Sequence, residues 1–198
     1  MRIKSRWFKD DQPKTAKQSA SVMAAITWRL AQNAVKQMRV AQFDIDPGPQ
    51  YFAFLSEFLV FLIQVADRIA YAQLPGAYRA EFTTALVNRV AEILEENQET
   101  LLGAPAERGY KSAFIELFNE ESADYATMGY GEAGPDFAFL RYLGNRVMDI
   151  MVKKDQSWVI DQIMEIEAPQ AVTDIQRGMQ GLFDSTPRAE RRERLTGV

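Results

Sequence analysis

Apolar residues recur every three or four positions along nearly the whole chain, which is the period of an amphipathic helix. Alternating runs of Val, Ile and Thr and the Asn-Gly or Asp-Gly turns typical of hairpins are missing. Four Pro- and Gly-containing breaks, "DIDPGP", "LPGA", "GAPAERG" and "GYGEAGP", divide the pattern into segments. The sequence therefore predicts an all-α fold, a single-domain bundle of six or seven helices.

Helix-start residues and breaks place these helices along the chain. They are predicted at residues 13–43, 49–73, 78–101, 110–127, 135–151, 156–167 and 169–183. We expect Asp155 to cap the sixth helix, Pro169 to open a separate seventh, and "GYGEAGP" to be a plain interhelical loop. Residues 1–184 form one domain in this prediction, with residues 1–12 flexible, and residues 185–198 form a charged C-terminal tail.

The second predicted helix is far more apolar than the others. Its stretch "YFAFLSEFLVFLIQ" leaves a polar sector of about 120°, whereas a surface helix needs an apolar stripe little wider than 100°. Such a helix is either central to the bundle or half-buried at an oligomer contact. We therefore expect the protein to self-associate through an apolar helix face.

One carboxylate, Glu57, stands within this aromatic stretch. We expect it to lie on a hydrated or paired seam, with Arg68 or an arginine of the first helix as its partner. A seam sealed by neighbouring helices would instead raise the pKa of Glu57 unless a partner compensates. In an alternative interpretation Glu57, with Phe54, Phe58 and Phe61, lines a site for an apolar small molecule between helices.

Composition excludes several kinds of chemistry. The 198 residues include no Cys and no His, which rules out disulfides, thiolate or imidazole metal ligands, and a catalytic His. Any enzyme built on this chain would work through carboxylates, lysine, tyrosine or serine, and would hold a hard cation such as Mg²⁺. No apolar run is long enough for a membrane span, because fourteen helical residues cover about 21 Å of the roughly 30 Å required. We expect a cytoplasmic protein.

Charge is distributed unevenly. Residues 1–43 carry nine Lys/Arg and two Asp, residues 44–186 carry ten Lys/Arg and 23 Asp/Glu, and the last twelve carry four Arg and two Glu. The basic ends are either solvated, or bind phosphate or lipid, or pack against the acidic body of a neighbouring subunit. Arg29, Lys36 and Arg39 form a candidate anion-binding stripe on the first helix. A pI near 5.1 argues against nucleic acid and against an anionic membrane surface.

The acidic cluster between residues 92 and 124 is the one pattern with a catalytic mechanism. "EENQE" and "ESAD" supply Glu95, Glu96, Glu99, Glu121 and Asp124. This arrangement resembles the EExxE…ExxD signature of all-α nucleoside triphosphate pyrophosphohydrolases. The resemblance implies that these carboxylates hold Mg²⁺ on a polyphosphate and activate water. The other interpretation is two solvated helix faces.

Solvated faces are the simpler interpretation of the acidic pattern, since nine of the 33 residues from 92 to 124 are acidic. We therefore predict a non-catalytic, cytoplasmic helical interaction or regulatory protein that self-associates and needs no cofactor, with an unknown protein partner. A Mg²⁺-dependent nucleotide hydrolase and a binder of an apolar small molecule are the alternatives.

Overall fold

The chain is helical in every segment where the apolar period predicts a helix. A computed structural model describes residues 14–105 and 108–183, and all statements about structure refer to them. The helices are α1 (Ala16–Val40), α2 (Pro49–Gln73), α3 (Gly76–Leu102), α4 (Tyr110–Ala126), α5 (Phe137–Ile150), α6 (Gln156–Gln162) and α7 (Ala168–Phe183). The all-α prediction is confirmed. Residues 1–12 and 185–198, predicted as a flexible segment and a tail, lie outside the described part of the chain.

The predicted sixth and seventh helices form one continuous helical run. A π-helical segment, Ile163–Glu167, joins α6 to α7, and the Ala168 amide bonds the Ile163 carbonyl. Pro169 lacks an N–H and would clash with the carbonyl four residues before it, and the wider π turn accommodates it without ending the helix. Counted as one, this run makes six helices in the described chain; counted apart, α6 and α7 make seven.

Asp155 occupies the predicted N-cap position of α6 but does not cap the helix with its side chain. The carboxylate instead accepts a hydrogen bond of 2.8 Å from the backbone amide of Asp44 in the α1–α2 loop. Asp155 therefore starts α6 with its backbone carbonyl, which accepts from the Val159 amide at 3.0 Å, while its side chain joins two loops that are distant in sequence.

α1 is shorter at both ends than predicted. Thr15 and Gln18 form a capping box, so α1 begins after Thr15 rather than at Pro13. At the other end Gln42 has φ of 69°, the Phe43 amide bonds the Met38 carbonyl, and the Gln42 amide bonds Arg39. This is a Schellman termination with Gln at the left-handed position.

α2 is the central helix of the bundle. It packs against α1, α3, α4, α5 and α7, and every residue from Leu59 to Ala66 is buried. The wide apolar surface of α2 is thus covered by the chain's own helices, and the oligomer-contact interpretation of α2 is wrong. Self-association stays a prediction, but it loses this argument.

The loop between α4 and α5 carries a minimal hairpin instead of a plain turn. Tyr130–Gly131 (β1) pairs antiparallel with Gly134–Pro135 (β2). Gly134 has φ of 105°, and a Cβ there would contact Val172 of α7 at 3.6 Å, so the hairpin packs on α7. No helix in the described chain is both long and apolar enough to cross a membrane.

Candidate functional site: a buried carboxylate–arginine cluster

Glu57 forms an ion pair with Arg146, an arginine that the sequence pattern does not predict as its partner. Arg146 of α5 donates from Nη2 to Glu57 Oε1 at 2.8 Å and from Nε to Glu57 Oε2 at 3.1 Å. Arg146 Nε also lies 2.7 Å from Glu121 Oε1 on α4. Glu57, Glu121 and Arg146, which we call the carboxylate cluster, thus link three helices in the interior.

The carboxylate cluster holds two carboxylates and one cation, so its charges balance only if one carboxylate is protonated. Neither oxygen of Glu121 has a donor in hydrogen-bonding geometry. Burial, together with a hydrogen bond and the charge of Glu57, raises the pKa of Glu121 to about 9, although Arg146 opposes this. A proton on Glu121 supplies the missing donor, because a neutral carboxyl donates to Glu57 where two carboxylates would repel.

Two tyrosines and an aspartate surround the carboxylate cluster. Burial and the charges of Glu121 and Glu57 raise the pKa of Tyr125, whose hydroxyl is buried and has no partner. Tyr142 donates to Asp124 at 2.8 Å, and burial and this bond raise its pKa. Both phenols are therefore neutral near pH 7.

The geometry of the carboxylate cluster holds three helices together. The Glu57 and Glu121 side chains are only 8% and 3% exposed, so no substrate reaches their oxygens in this conformation. Burial of Arg146 favours its neutral form, but its bond to Glu57 and the carboxylate charges outweigh this and raise its pKa. The guanidinium therefore remains a permanent cation that ties α5 to α2 and α4.

Neither of the partners predicted for Glu57 pairs with it. Arg68 instead donates to the backbone carbonyls of Tyr125 and Met128, which lie at the C-terminal end of α4. The seam is paired, as expected, but it is sealed by α4 and α5 rather than hydrated. The sequence offered one signal for Arg146: its spacing from Phe139 and Leu143 puts it on the inward face of α5.

The five residues of the acidic pattern lie in two different places. Glu95 accepts from the backbone amide of Lys111 at 3.1 Å and so caps α4, while Glu96 lies 3.8 Å from Arg89. Glu99 lies further along the exposed side of α3. Glu121 faces the interior, and Asp124 accepts from Tyr142.

In the described residues, no group of three or more acidic side chains is arranged to hold a metal ion. The Mg²⁺ site that the pyrophosphohydrolase resemblance implies therefore gains no support from the geometry of these carboxylates.

The three phenylalanines predicted to line a ligand site are fully buried in the core. Phe54 stacks on Phe58 with ring centroids 5.7 Å apart, and Phe58 contacts Phe61 at 5.9 Å. Phe61 in turn meets the edge of Phe139 at 5.8 Å. The rings thus fill space by packing on one another, and they hold α2 against α5.

The basic stripe of α1 is partly occupied by contacts within the chain. Arg39 donates twice to the Ile45 carbonyl, at 3.1 and 2.8 Å, and lies over the Tyr51 ring. Arg29 and Lys36 are exposed. Arg39 therefore fastens the α1–α2 loop, which leaves Arg29 and Lys36 as the solvated part of the stripe.

A second polar feature is a groove between the last turns of α1 and the π-helical segment. It has a volume of about 790 Å³, and Glu165, Glu167 and Asp174 are among the residues that line it. Asp174 is already paired with Arg177 at 3.2 Å. Val40 and Ile166 add apolar surface, being 66% and 55% exposed. No Lys or Arg is among the described residues that line this groove. We call it the acidic groove.

Glu167 is the buried member of the acidic groove. It accepts one hydrogen bond of 3.0 Å from Gln162. Burial raises the pKa of Glu167, and the bond from Gln162 offsets part of this effect. A cation bound beside Glu167 would lower this pKa again, so cation binding in the acidic groove is coupled to proton release.

Comparison of the chain with protein-family models, with curated proteins and with solved structures finds no match. The geometry of the chain itself is therefore the basis for a functional proposal.

Proposed function

We propose that this protein is a non-catalytic helical interaction protein that self-associates, and that its acidic groove is the contact site. The single observation that carries the proposal is the combination of carboxylates with exposed Val40 and Ile166 in one groove. Exposed apolar side chains that line a concave surface mark protein contacts better than isolated ones do. The acidic lining then selects a basic partner.

The chemistry of the groove fits a short basic segment that also carries apolar side chains. Residues 1–9 of this chain, "MRIKSRWFK", have that composition: four Lys/Arg, no acidic residue, and Ile3, Trp7 and Phe8. Their cations complement Glu165 and Glu167, and their apolar side chains complement Val40 and Ile166. We therefore assign a second copy of this chain as the occupant.

A second copy is preferred to the same chain because two equivalent contacts would close a symmetric dimer. The acidic groove uses the last turns of α1, near Gln37. Residues 1–9 precede the start of α1 at Ala16, about 32 Å away along the helix axis. A second copy packed antiparallel brings its own residues 1–9 to this end, and the two contacts are then equivalent, as in a symmetric dimer.

Peptide binding tests the proposal. A fluorescently labelled peptide of residues 1–9 is titrated with the full chain, and anisotropy is followed at two salt concentrations. We expect saturable binding that weakens with salt, because the contacts include exposed charges. Binding should also strengthen as the pH rises through the raised pKa of Glu167, because the carboxyl loses its proton and gains a negative charge.

Matched variants separate the acidic groove from the rest of the surface. Ile166→Lys places a cation in the groove and should reduce binding by about tenfold or more. Leu101→Lys changes an aliphatic side chain that is similarly exposed, at 67%, on α3, and should leave binding unchanged. Equal binding by both variants would overturn the assignment, as would equal binding of a peptide with Ile3, Trp7 and Phe8 replaced by Ser.

A further inference from the structure

A second groove lies between the C-terminal half of α2, the hairpin, and the end of α7. Its volume is about 1050 Å³, just above the usual range for small-molecule sites. Arg68, Tyr71, Tyr130 and Phe183 are among the residues that line it. None of them belongs to the carboxylate cluster or to the acidic groove, so ligand binding here is independent of the proposed function.

Arg68 is a half-buried cation that pairs with no carboxylate in the part of the chain that the structure describes. Its Nη2 donates to the carbonyls of Tyr125 at 2.7 Å and Met128 at 3.3 Å. The neighbouring Asp67 is engaged elsewhere, by Arg79 and by Thr83. A guanidinium has five N–H donors, so three of those on Arg68 have no partner in the described chain.

Tyr71 forms an aromatic wall of this groove. Its side chain is 70% exposed, yet its ring is held by the Arg79 guanidinium, which lies 4.8 Å from the ring centroid. Asp67 fixes Arg79 in turn through an ion pair. The Asp67–Arg79–Tyr71 series therefore presents a preorganised ring beside Arg68.

The opposite side of the groove supplies a second ring and an unused polar group. Phe183 of α7 lines the groove and packs edge-on against Phe82 at 5.6 Å, which fixes its orientation. Among the described residues none meets the buried Tyr130 hydroxyl in full hydrogen-bonding geometry, although the Gln176 side chain lies beside it and partly offsets the effect of burial on its pKa. A ligand that displaces Gln176 would give this hydroxyl a partner.

We infer that this groove binds a small aromatic monocarboxylate. The carboxylate would pair with Arg68, since a guanidinium binds carboxylates through two parallel N–H donors, and the ring would lie between Tyr71 and Phe183. A single negative charge fits best because Arg68 is the one cation among the described lining residues, and Glu132 lines the same groove. Phosphates carry more charge and would meet repulsion from Glu132.

The test uses 2-naphthoate as the probe, with 2-naphthamide as its neutral counterpart, and follows probe fluorescence on the full chain. We expect saturable binding of the acid and about tenfold weaker binding of the amide, because only the acid forms the charge-assisted pair. Inorganic phosphate should not compete. Equal binding of acid and amide, no saturable binding, or competition by phosphate would each overturn the inference.

Two pairs of variants locate the site. Arg68→Gln should weaken 2-naphthoate binding about tenfold, while Arg141→Gln, at an exposed arginine on α5, should not change it. Tyr71→Ala should weaken binding several-fold, while Trp158→Ala, at a ring equally exposed at 70%, should not. If Arg68→Gln fails to fold, Tyr71→Ala still decides, and unchanged binding in Tyr71→Ala contradicts the site.

Discussion

Glu121 is the residue whose protonation the structure predicts most sharply, and Glu121→Gln tests it. In Glu121→Gln, an NH₂ group of nearly the same shape replaces the hydroxyl of the neutral carboxyl. This NH₂ group can still donate a hydrogen bond to Glu57. The substitution therefore keeps the neutral carboxylate cluster of the folded protein. What it removes is the ability of the unfolded chain to ionise at this position.

The magnitude depends on the two pKa values. Glu121 titrates at about 9 in the folded state and near 4.5 in the unfolded chain, so folding takes up one proton between these values. A raised folded pKa contributes stability that is fully present below 4.5 and is lost as the pH rises through 9. Each pH unit in that window changes the free energy of unfolding by about 1.4 kcal/mol. At pH 7, about two and a half units above the unfolded pKa, the free energy of unfolding has fallen by roughly 3 kcal/mol from its low-pH value.

Urea denaturation followed by tryptophan fluorescence from about pH 5.5 to 8.5 measures this slope. The chain has no His, so no imidazole titration overlaps the window. Wild type should lose about 1.4 kcal/mol per pH unit from Glu121, and Glu121→Gln should lose that component and become the more stable protein above pH 7. Glu120→Gln, at the exposed neighbouring carboxylate, should keep the wild-type slope. Equal slopes in wild type and Glu121→Gln would refute a protonated Glu121.

Three further outcomes are expected. Arg146→Gln removes the cation of the carboxylate cluster and leaves the buried Glu57 without its bidentate partner, so it should lower the free energy of unfolding at pH 7 by about 3 kcal/mol in urea denaturation, and a loss below about 1 kcal/mol would contradict the ion pair. Glu167→Gln should gain stability relative to wild type between pH 5 and pH 8, since burial raises the pKa of Glu167 and wild type loses stability as this carboxyl ionises. The same pH dependence of the melting temperature in both proteins would contradict that. A nucleoside triphosphate panel with Mg²⁺ should release neither phosphate nor pyrophosphate, and activity that disappears in Glu96→Gln and Asp124→Asn would instead establish the hydrolase.

Local signals in the sequence predict where the helices lie and that α2 is the central one. The break at "DIDPGP" with Pro49 at a first turn placed the start of α2, and its wide apolar surface indicated a central position. Where prediction failed, a long-range contact or an unusual backbone competed with the local signal. Asp155 looks like a cap but bonds Asp44, and Pro169 looks like a helix start but comes after a π turn.

The carboxylate cluster was only half predictable. The position of Glu57 within an aromatic stretch indicated a charge in need of a partner, but which cation meets it depends on how α5 packs on α2, 89 residues further along the chain. Glu121 belongs to the acidic pattern, which predicts a metal site rather than a partner for Arg146. Glu95 and Glu96 of the same pattern contact other residues. Tertiary packing, not spacing, decides which carboxylates meet.

The oligomeric state of the full chain tests the proposed function most directly. Sedimentation equilibrium at tens of micromolar should give wild type a mass above the 22.5 kDa of the monomer, and Leu101→Lys should match it. Ile166→Lys should sediment as a monomer, and an excess of the peptide of residues 1–9 should dissociate wild type. A strictly monomeric wild type, or an Ile166→Lys variant that associates as wild type does, would contradict the proposal.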